Sequence, residues 1–403
     1  MPVSPRQRQY VWRVVWVVLL MAMVALGFAV ASEVRSSRLQ AREFSDFAKD
    51  LSYTVEPGAS DAIVYPGDGP FDKRLGYSAL GEFLPRLLKR DYLISAQARF
   101  SPSMLSYANR GFFVPYREKS QSGLTITDCR GDALYQYTYP QQLYPTFAAI
   151  PPVLVNSLLF IENRDLLDAG QPQANPAVDW PRFLKAAVSQ VAKAVGLPGQ
   201  SAGGSTLATQ LEKYRHSPDG LTQSGSEKIR QMVSASVRAY QPGPQTLEAR
   251  ERVVRDYLNS VPLSAVPGHG EVHGMAEGLR VWYGADFDRT NQLLMATGND
   301  ANTLAAQGLA LREVLSLVIA QRRPSHFLAK GRKELADLTD SHIRLLAQNK
   351  VIDPPLADAA LAATVTYRDW VQQPTVQPIE TNKGDNGRAQ SPVEHAGSSA
   401  LRS

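Results

Sequence analysis

Apolar and polar positions divide this chain into stretches of different character. Val14 to Ala31 carries no charge, and a helix of its ~18 residues, rising about 1.5 Å per residue, reaches roughly 27 Å, near the thickness of a bilayer core. Residues 33 to 120 mix charged, proline- and glycine-containing segments, with one helical stretch near Leu80 to Leu88. Residues 122 to 138 alternate apolar and polar around Asp128-Cys129-Arg130-Gly131-Asp132 and predict a hairpin. From Pro151 the period becomes helical: Val153, Leu154, Ser157, Leu158 and Ile161 recur at three and four, which places Glu162 near the helix end.

A second helix is predicted from Asp179, with Pro181 in its first turn, to the breaker Gly196-Leu197-Pro198. Phe183, Leu184, Ala187, Val188, Val191 and Val195 line one side of it, flanked by Arg182, Lys185 and Lys193. Ser226 and Thr246 are expected to cap two more helices, the second carrying Glu248 at the favourable end of its dipole. Further helices are expected around 273–283, 311–321, 332–348 and 353–364. After about residue 371 Pro, Gln, Gly, Asn and Ser dominate, which predicts disorder. No internal repeat interrupts this mainly helical pattern.

Charge gives the apolar run a direction. Arg6, Arg8 and Arg13 precede it and only Glu33 and Arg35 come closely after it, so the amino end is expected in the cytoplasm. Ala29-Val30-Ala31 also has the small-x-small form of a signal-peptidase site, but the run exceeds the about 7 to 15 apolar residues of a signal core, which favours an anchor. Either reading exports the chain beyond residue 32. The 403 residues suffice for one large or two ordinary domains. The single cysteine, Cys129, makes no internal disulfide and is expected buried or on an edge strand. A net charge of +5 without basic runs argues against nucleic acid and suits anionic headgroups or a diphosphate.

Candidate chemistry concentrates in Gly203-Gly204-Ser205-Thr206-Leu207-Ala208-Thr209-Gln210-Leu211-Glu212-Lys213. A glycine turn leading into a helix start presents free N–H groups at the positive end of the dipole, where a phosphate docks. Thr206, Gln210 and Lys213 follow at i, i+4 and i+7, so a hydroxyl, an amide and a cation share one face. Glu162, at the end of its apolar helix, is a candidate general base, against the ordinary role of a solvated surface carboxylate. Gly199 to Thr206 imitates a P-loop without its lysine or preceding strand, which argues against a nucleotide. His269, Glu271 and His273 imitate a metal site, but the glycines between them break the helix that would align two ligands.

Together these segments resemble the family-51 glycosyltransferases, the peptidoglycan glycosyltransferases found alone or as the first catalytic domain of class A penicillin-binding proteins. The family's opening motif is matched by Ile150-Pro151-Pro152 through Glu162-Asn163-Arg164, and its glycine-glycine-serine-threonine motif by Gly203 to Lys213. Its arginine-lysine-x-x-glutamate motif is half kept in Glu227-Lys228-Ile229-Arg230-Gln231. Tyr257-Leu258-Asn259 and Trp282-Tyr283-Gly284 match two later elements. The resemblance covers roughly residues 125 to 330. Asn163, Leu166 and Ala169 replace the aspartate, phenylalanine and histidine of the first motif, and Gln231 replaces the second carboxylate, which Glu227 one turn earlier could supply.

The resemblance implies a mainly α, lysozyme-like transglycosylase domain over 121–368, with a small β-hairpin lead-in. It is preceded by a cytoplasmic N-terminus and transmembrane anchor over 1–32 and an extracytoplasmic segment of unassigned role over 33–120, and followed by a disordered tail over 369–403. It also implies that the 179–198 helix dips into the membrane interface, and that the glycine-rich 268–274 loop contacts substrate. The implied reaction is polymerisation of lipid II into glycan strands with release of undecaprenyl diphosphate, with Glu162 as base and Gln231 or Glu227 at the second catalytic position. Arg164, Gly204, Ser205, Thr206, Gln210, Lys213 and Lys228 would grip phosphate or substrate.

No metal ligand is assigned, and a divalent cation, magnesium or manganese, stays open as cofactor. No transpeptidase motif set occurs, so the chain is expected to be monofunctional. The implied partners are lipid II, nascent glycan, membrane lipid and cell-wall synthesis proteins, at the periplasmic side of a bacterial inner membrane. The eroded motifs keep a second reading open, a homologue that binds lipid II or glycan as a scaffold without turnover.

Overall fold

Helix α1 (Pro5–Ser36) contains the uncharged run as one continuous element in the computed structural model, which describes residues 5–368 except 68, 117, 181–204 and 299. Its Trp12–Ser36 part is long and apolar enough to cross a bilayer. The side chains of the uncharged run are exposed, Trp16 by 62% and Phe28 by 77%. The helix stops where Ser37 turns left-handed (φ 50°), and α2 (Arg38–Lys49) begins at once. Glu33 bridges the break, its two carboxylate oxygens accepting the free N–H groups of Leu39 and Gln40, each at 2.9 Å. An acidic side chain at a helix start is the favoured arrangement.

The next segment has a small core of its own. Strands β1 (Tyr53–Pro57) and β2 (Ala96–Phe100) pair antiparallel, and the chain between them forms α3 (Pro70–Arg74) and α4 (Leu80–Leu88). Ser101 caps α5 (Pro102–Asn109) through the Met104 N–H. Ala48, Leu51, Met104, Tyr107, Ala108 and Val114 cluster here, and Val237, from a helix more than a hundred residues later, closes the cluster.

Strands β3 (Ser122–Thr127) and β4 (Ala133–Tyr139) form the expected hairpin, with a register shift at Ile126/Thr127. Asp128 Oδ1 organises its turn by accepting the Arg130 and Asp132 N–H groups. Cys129 lies in that turn and is exposed, neither buried nor on an edge strand as expected, because a two-stranded ribbon has no second layer to cover its tip.

The remaining elements are α6 (Pro152–Glu162), α7 (Leu207–His216), α8 (Gly225–Tyr240), α9 (Leu247–Ser260), the pair β5 (Pro262–Val266) and β6 (Gly270–His273), α10 (Gly274–Gly278), α11 (Phe287–Met295), α12 (Ala301–Ala320), α13 (Arg332–Gln348) and α14 (Pro354–Ala362). The predicted 179–198 helix and the predicted tail disorder fall largely outside the described residues. The 273–283 helix is α10 followed by a wider turn, Leu279–Tyr283. Helix α12 starts at 301, nearly three turns before the periodicity signals it, because Asp300 caps it through the Thr303 N–H while its first residues are polar or small. Ser224, not Ser226, caps α8 by accepting the Glu227 N–H. Thr246 stands at the start of α9, but its hydroxyl donates to the Pro172 and Ala174 carbonyls.

Helix α12 is the axis of the main core. It is apolar enough to pass for a membrane span, yet every residue from Ala310 to Ala320 is buried, among α6, α10, α11, α13 and α14. Gly308 lets α14 approach: a Cβ there would sit 2.5 Å from the Ala359 carbonyl carbon. Helix propensity alone makes Gly308→Ala stabilising by about 1 kcal/mol. Overpacking against a backbone costs about 1–3 kcal/mol. A net loss of stability is expected in denaturant unfolding of the full chain, and a net gain would show that the two helices separate freely.

Candidate functional site

Glu162 is the last residue of α6, whose burial of Leu154, Val155, Leu158 and Leu159 fixes that helix in the core. Asn163 leaves the helical conformation (φ −160°, ψ 83°), so the carboxylate stands at the end of the helix. The loop beyond is held by Arg250, 1% exposed, which donates to the Leu166, Asp168 and Gln171 carbonyls. Glu162 Oε2 accepts Gln210 Nε2 at 3.3 Å; Oε1 accepts Gln321 Nε2 at 3.2 Å and Arg322 Nη2 at 3.3 Å. Tyr214 Oη lies 3.3 Å from Gln210 Oε1 and 3.0 Å from Gln321 Oε1, so both amides turn their NH₂ groups toward the carboxylate. Burial and the Glu162 charge raise the Tyr214 pKa, which keeps it a neutral phenol.

Helix α7 brings the second group of residues. Thr206 caps it, its hydroxyl accepting the Thr209 N–H at 3.3 Å while the Thr209 hydroxyl accepts the Thr206 N–H at 3.0 Å. Thr206 is 2% exposed and builds the helix start, leaving Ser205 as the hydroxyl at the surface. Gly204 and the glycine turn lie outside the described residues. Lys228 of α8 donates to Ser205 Oγ at 2.9 Å and to Thr209 Oγ1 at 3.4 Å. Lys213 Nζ rests 4.4 Å from the centre of the Tyr214 ring. Burial lowers the Lys213 pKa, opposed by Glu162. Burial and then the Lys213 charge lower that of Lys228 to about 8.

Arg164 turns back on its own helix, its guanidinium 3.9 Å from the Phe160 ring centre and donating to the Phe160 carbonyl. The guanidinium on Glu162 comes instead from Arg322, which sequence reasoning missed together with Gln321. A signal existed, a Gln-Arg-Arg-Pro run ending the apolar α12. Among the described residues the cluster holds one carboxylate with three cations, Lys213, Lys228 and Arg322, an arrangement that can accept a proton beside a site for a multiply charged anion.

Gln231 and Glu227 do share a face of α8, and that face meets the 217–222 turn. Ser217 Oγ donates to Glu227 Oε1 at 2.6 Å and accepts Gln231 Nε2 at 3.0 Å; Thr222 Oγ1 lies 2.9 Å from the same Nε2. Gln231 is 1% and Glu227 6% exposed. Tyr257 and Leu258 are core residues, and Asn259 exchanges two hydrogen bonds with the Tyr144 backbone, so this motif positions chain. His273 contacts Glu271 and Arg74 of α3, and burial with Arg74 lowers its pKa to about 4. Among the described residues no group of three His, Cys, Asp or Glu side chains is arranged to hold a metal ion.

A family model described as Transglycosylase matches residues 130–348, which include all the cleft residues named above. No curated protein matches the chain.

The cation at Lys228 is present below pH 8 and fades above it. Binding of inorganic diphosphate to the full chain, measured by calorimetry, is expected to weaken between pH 7 and 9 more steeply in the wild type than in Lys228→Met. Equal slopes would remove Lys228 from the anion site. Gln231→Glu is expected to lower stability by about 1–3 kcal/mol at pH 8, since a carboxylate cannot donate to Ser217 or Thr222 and faces Glu227. Its folded pKa would be raised, so the penalty sets in above the unfolded carboxyl value and shrinks toward pH 5. Thermal melts at both pH values check this.

Proposed function

The chain belongs to the transglycosylase family, and from that premise we propose that it is a peptidoglycan glycosyltransferase polymerising lipid II. In this reaction a sugar 4-hydroxyl attacks the anomeric carbon of a glycan bound to undecaprenyl diphosphate. Glu162 takes the hydroxyl proton, the new C–O bond forms, and the bond to the diphosphate oxygen breaks. Lys213, Lys228 and Arg322 stabilise the charge on the leaving diphosphate. The observation that carries the reading is the joining of Glu162 to α7 through Gln210, which sets base and cations in one cleft. The Gln210, Gln321 and Arg322 donors hold the carboxylate in one orientation, which limits its search for the acceptor proton.

Helix α1, with Arg6, Arg8 and Arg13 at its amino end, supports an anchor in a bacterial inner membrane with the cleft on the periplasmic side. A second reading, binding of lipid II or nascent glycan without turnover, is favoured by one observation. Gln231, at the place of the family's second carboxylate, spends its amide on Ser217 and Thr222.

Detergent-extracted protein and labelled lipid II decide between the two on a polymer gel. Glu162→Gln is expected to lower polymer formation by about 10² to 10⁴ while retaining lipid II binding, the cost of losing a general base. Undiminished turnover would sink the assignment of Glu162, and a wild type that binds lipid II without polymer would establish the non-catalytic reading.

A further inference from the structure

Residues 69–118 lie outside the family match at 130–348, yet they end on the helix that carries Gln210 and Lys213. His216, the last residue of α7, stands between two carboxylates from that segment. Asp72 Oδ1 of α3 lies 2.8 Å from its Nδ1, and Glu118 Oε1 lies 2.6 Å from its Nε2. Carboxylate oxygens only accept, so both ring nitrogens carry protons and the ring is an imidazolium. His216 and Asp72 are each 2% exposed at the side chain and Glu118 is 6%. The Phe71 and Phe113 rings close over the histidine at 6.4 and 5.3 Å.

The charges around it are interlocked. Glu118 also meets Arg215 of α7 at 2.5 Å and Arg238 of α8 at 3.0 Å, and Arg238 reaches Glu212 of α7 at 2.8 Å. Arg215 extends to Asp256 of α9 at 3.6 Å. The phenols of Tyr77 and Tyr116 stand near Glu118 and Asp72, and Arg230 of α8 lines the same small cavity as His216. Gly69 runs so close to the Arg215 carbonyl that a Cβ would collide with it.

Such a set of buried charges is weak evidence for stability, since desolvation offsets the attraction, but pulling its members apart leaves buried charges unpaired and is strongly disfavoured. Gln210 and Lys213 lie six and three residues before the histidine, about 9 and 4.5 Å along the helix. We propose that residues 69–116 together with Glu118 are a positioning element for the cleft, and that His216, gripped by Asp72 and Glu118, is the latch through which they fix α7. Its consequence for catalysis rests on the glycosyltransferase reading; its consequence for α7 does not.

Hydrogen exchange on the full-length protein in detergent tests the latch directly. In His216→Gln and in Asp72→Asn, exchange is expected to rise roughly tenfold or more both in 69–75 and along 207–216, with α13 unchanged. Loosening of 69–75 alone would overturn the proposal. A second measurement needs no variant: nitrogen NMR of the histidine rings in the wild type. Against burial, which lowers it, the two carboxylates hold the His216 pKa up at about 9, so both its nitrogens should stay protonated through neutral pH. Deprotonation near the ordinary value of 6.5 would overturn the grip.

Because the folded pKa is raised, the latch's contribution to stability is full below about pH 6.5, the unfolded value, and is lost as pH rises through about 9. The wild type's melting advantage over His216→Gln should therefore vanish across that window. In a protein that polymerises, His216→Gln is expected to lower kcat about tenfold with KM within about twofold, as a misplaced helix does, and adding Glu118→Gln should cost little more. Unchanged kcat with loosened α7 would overturn the positioning role. If the wild type makes no polymer, that counts against the glycosyltransferase reading, and exchange and NMR decide the latch alone.

Discussion

The burial of α7 is the constraint around which this molecule is arranged. Every residue of the helix except Lys213 and Tyr214 is buried, although Thr209, Gln210, Glu212, Arg215 and His216 are polar or charged. A buried polar group without a partner costs about 1–3 kcal/mol and a buried charge more. The helix therefore exists where it does only because its neighbours supply partners: Thr206 at its start, Glu162 for Gln210, Arg238 for Glu212, and Asp72 and Glu118 for its last turn.

The apolar core reaches the site by a second route. Helix α12 is immobilised by burial along its C-terminal half, and the first residues beyond it, Gln321 and Arg322, are the ones that touch Glu162. Helix α6 brings Glu162 in the same way, as the polar end of an apolar rod. Both partners are thus set by packing far larger than the hydrogen bonds between them, and those bonds orient groups whose positions are already fixed.

Electrostatics gives the cleft its bias. Burial lowers the pKa of both Lys213 and Lys228, the Lys213 charge lowers that of Lys228 further, and Lys228 donates to Ser205. Cations held at such a cost gain most from an anion that brings two charges at once. The face of α8 beyond Lys228 has gone another way: Gln231 and Glu227 tie down the 217–222 turn through Ser217.

Several features were decided by local sequence. The uncharged run became a membrane-length helix, the alternating 122–138 segment a hairpin, and α6 ended at Glu162, because periodicity and prolines act on a few residues at a time. The motif from Ser205 to Lys213 likewise became a capped helix with Gln210 facing Glu162. Tertiary structure alone decided the rest. Helix spacing put Gln231 and Glu227 on one face but could not say which neighbour that face meets. Arg164 lies beside Glu162 in sequence, yet Phe160 takes its guanidinium, and Arg322, 160 residues on, takes the carboxylate. Asp72, Glu118 and His216 carry no local pattern at all; their meeting depends on packing between segments nearly a hundred and fifty residues apart, where partners are chosen by proximity and desolvation that no stretch of sequence contains.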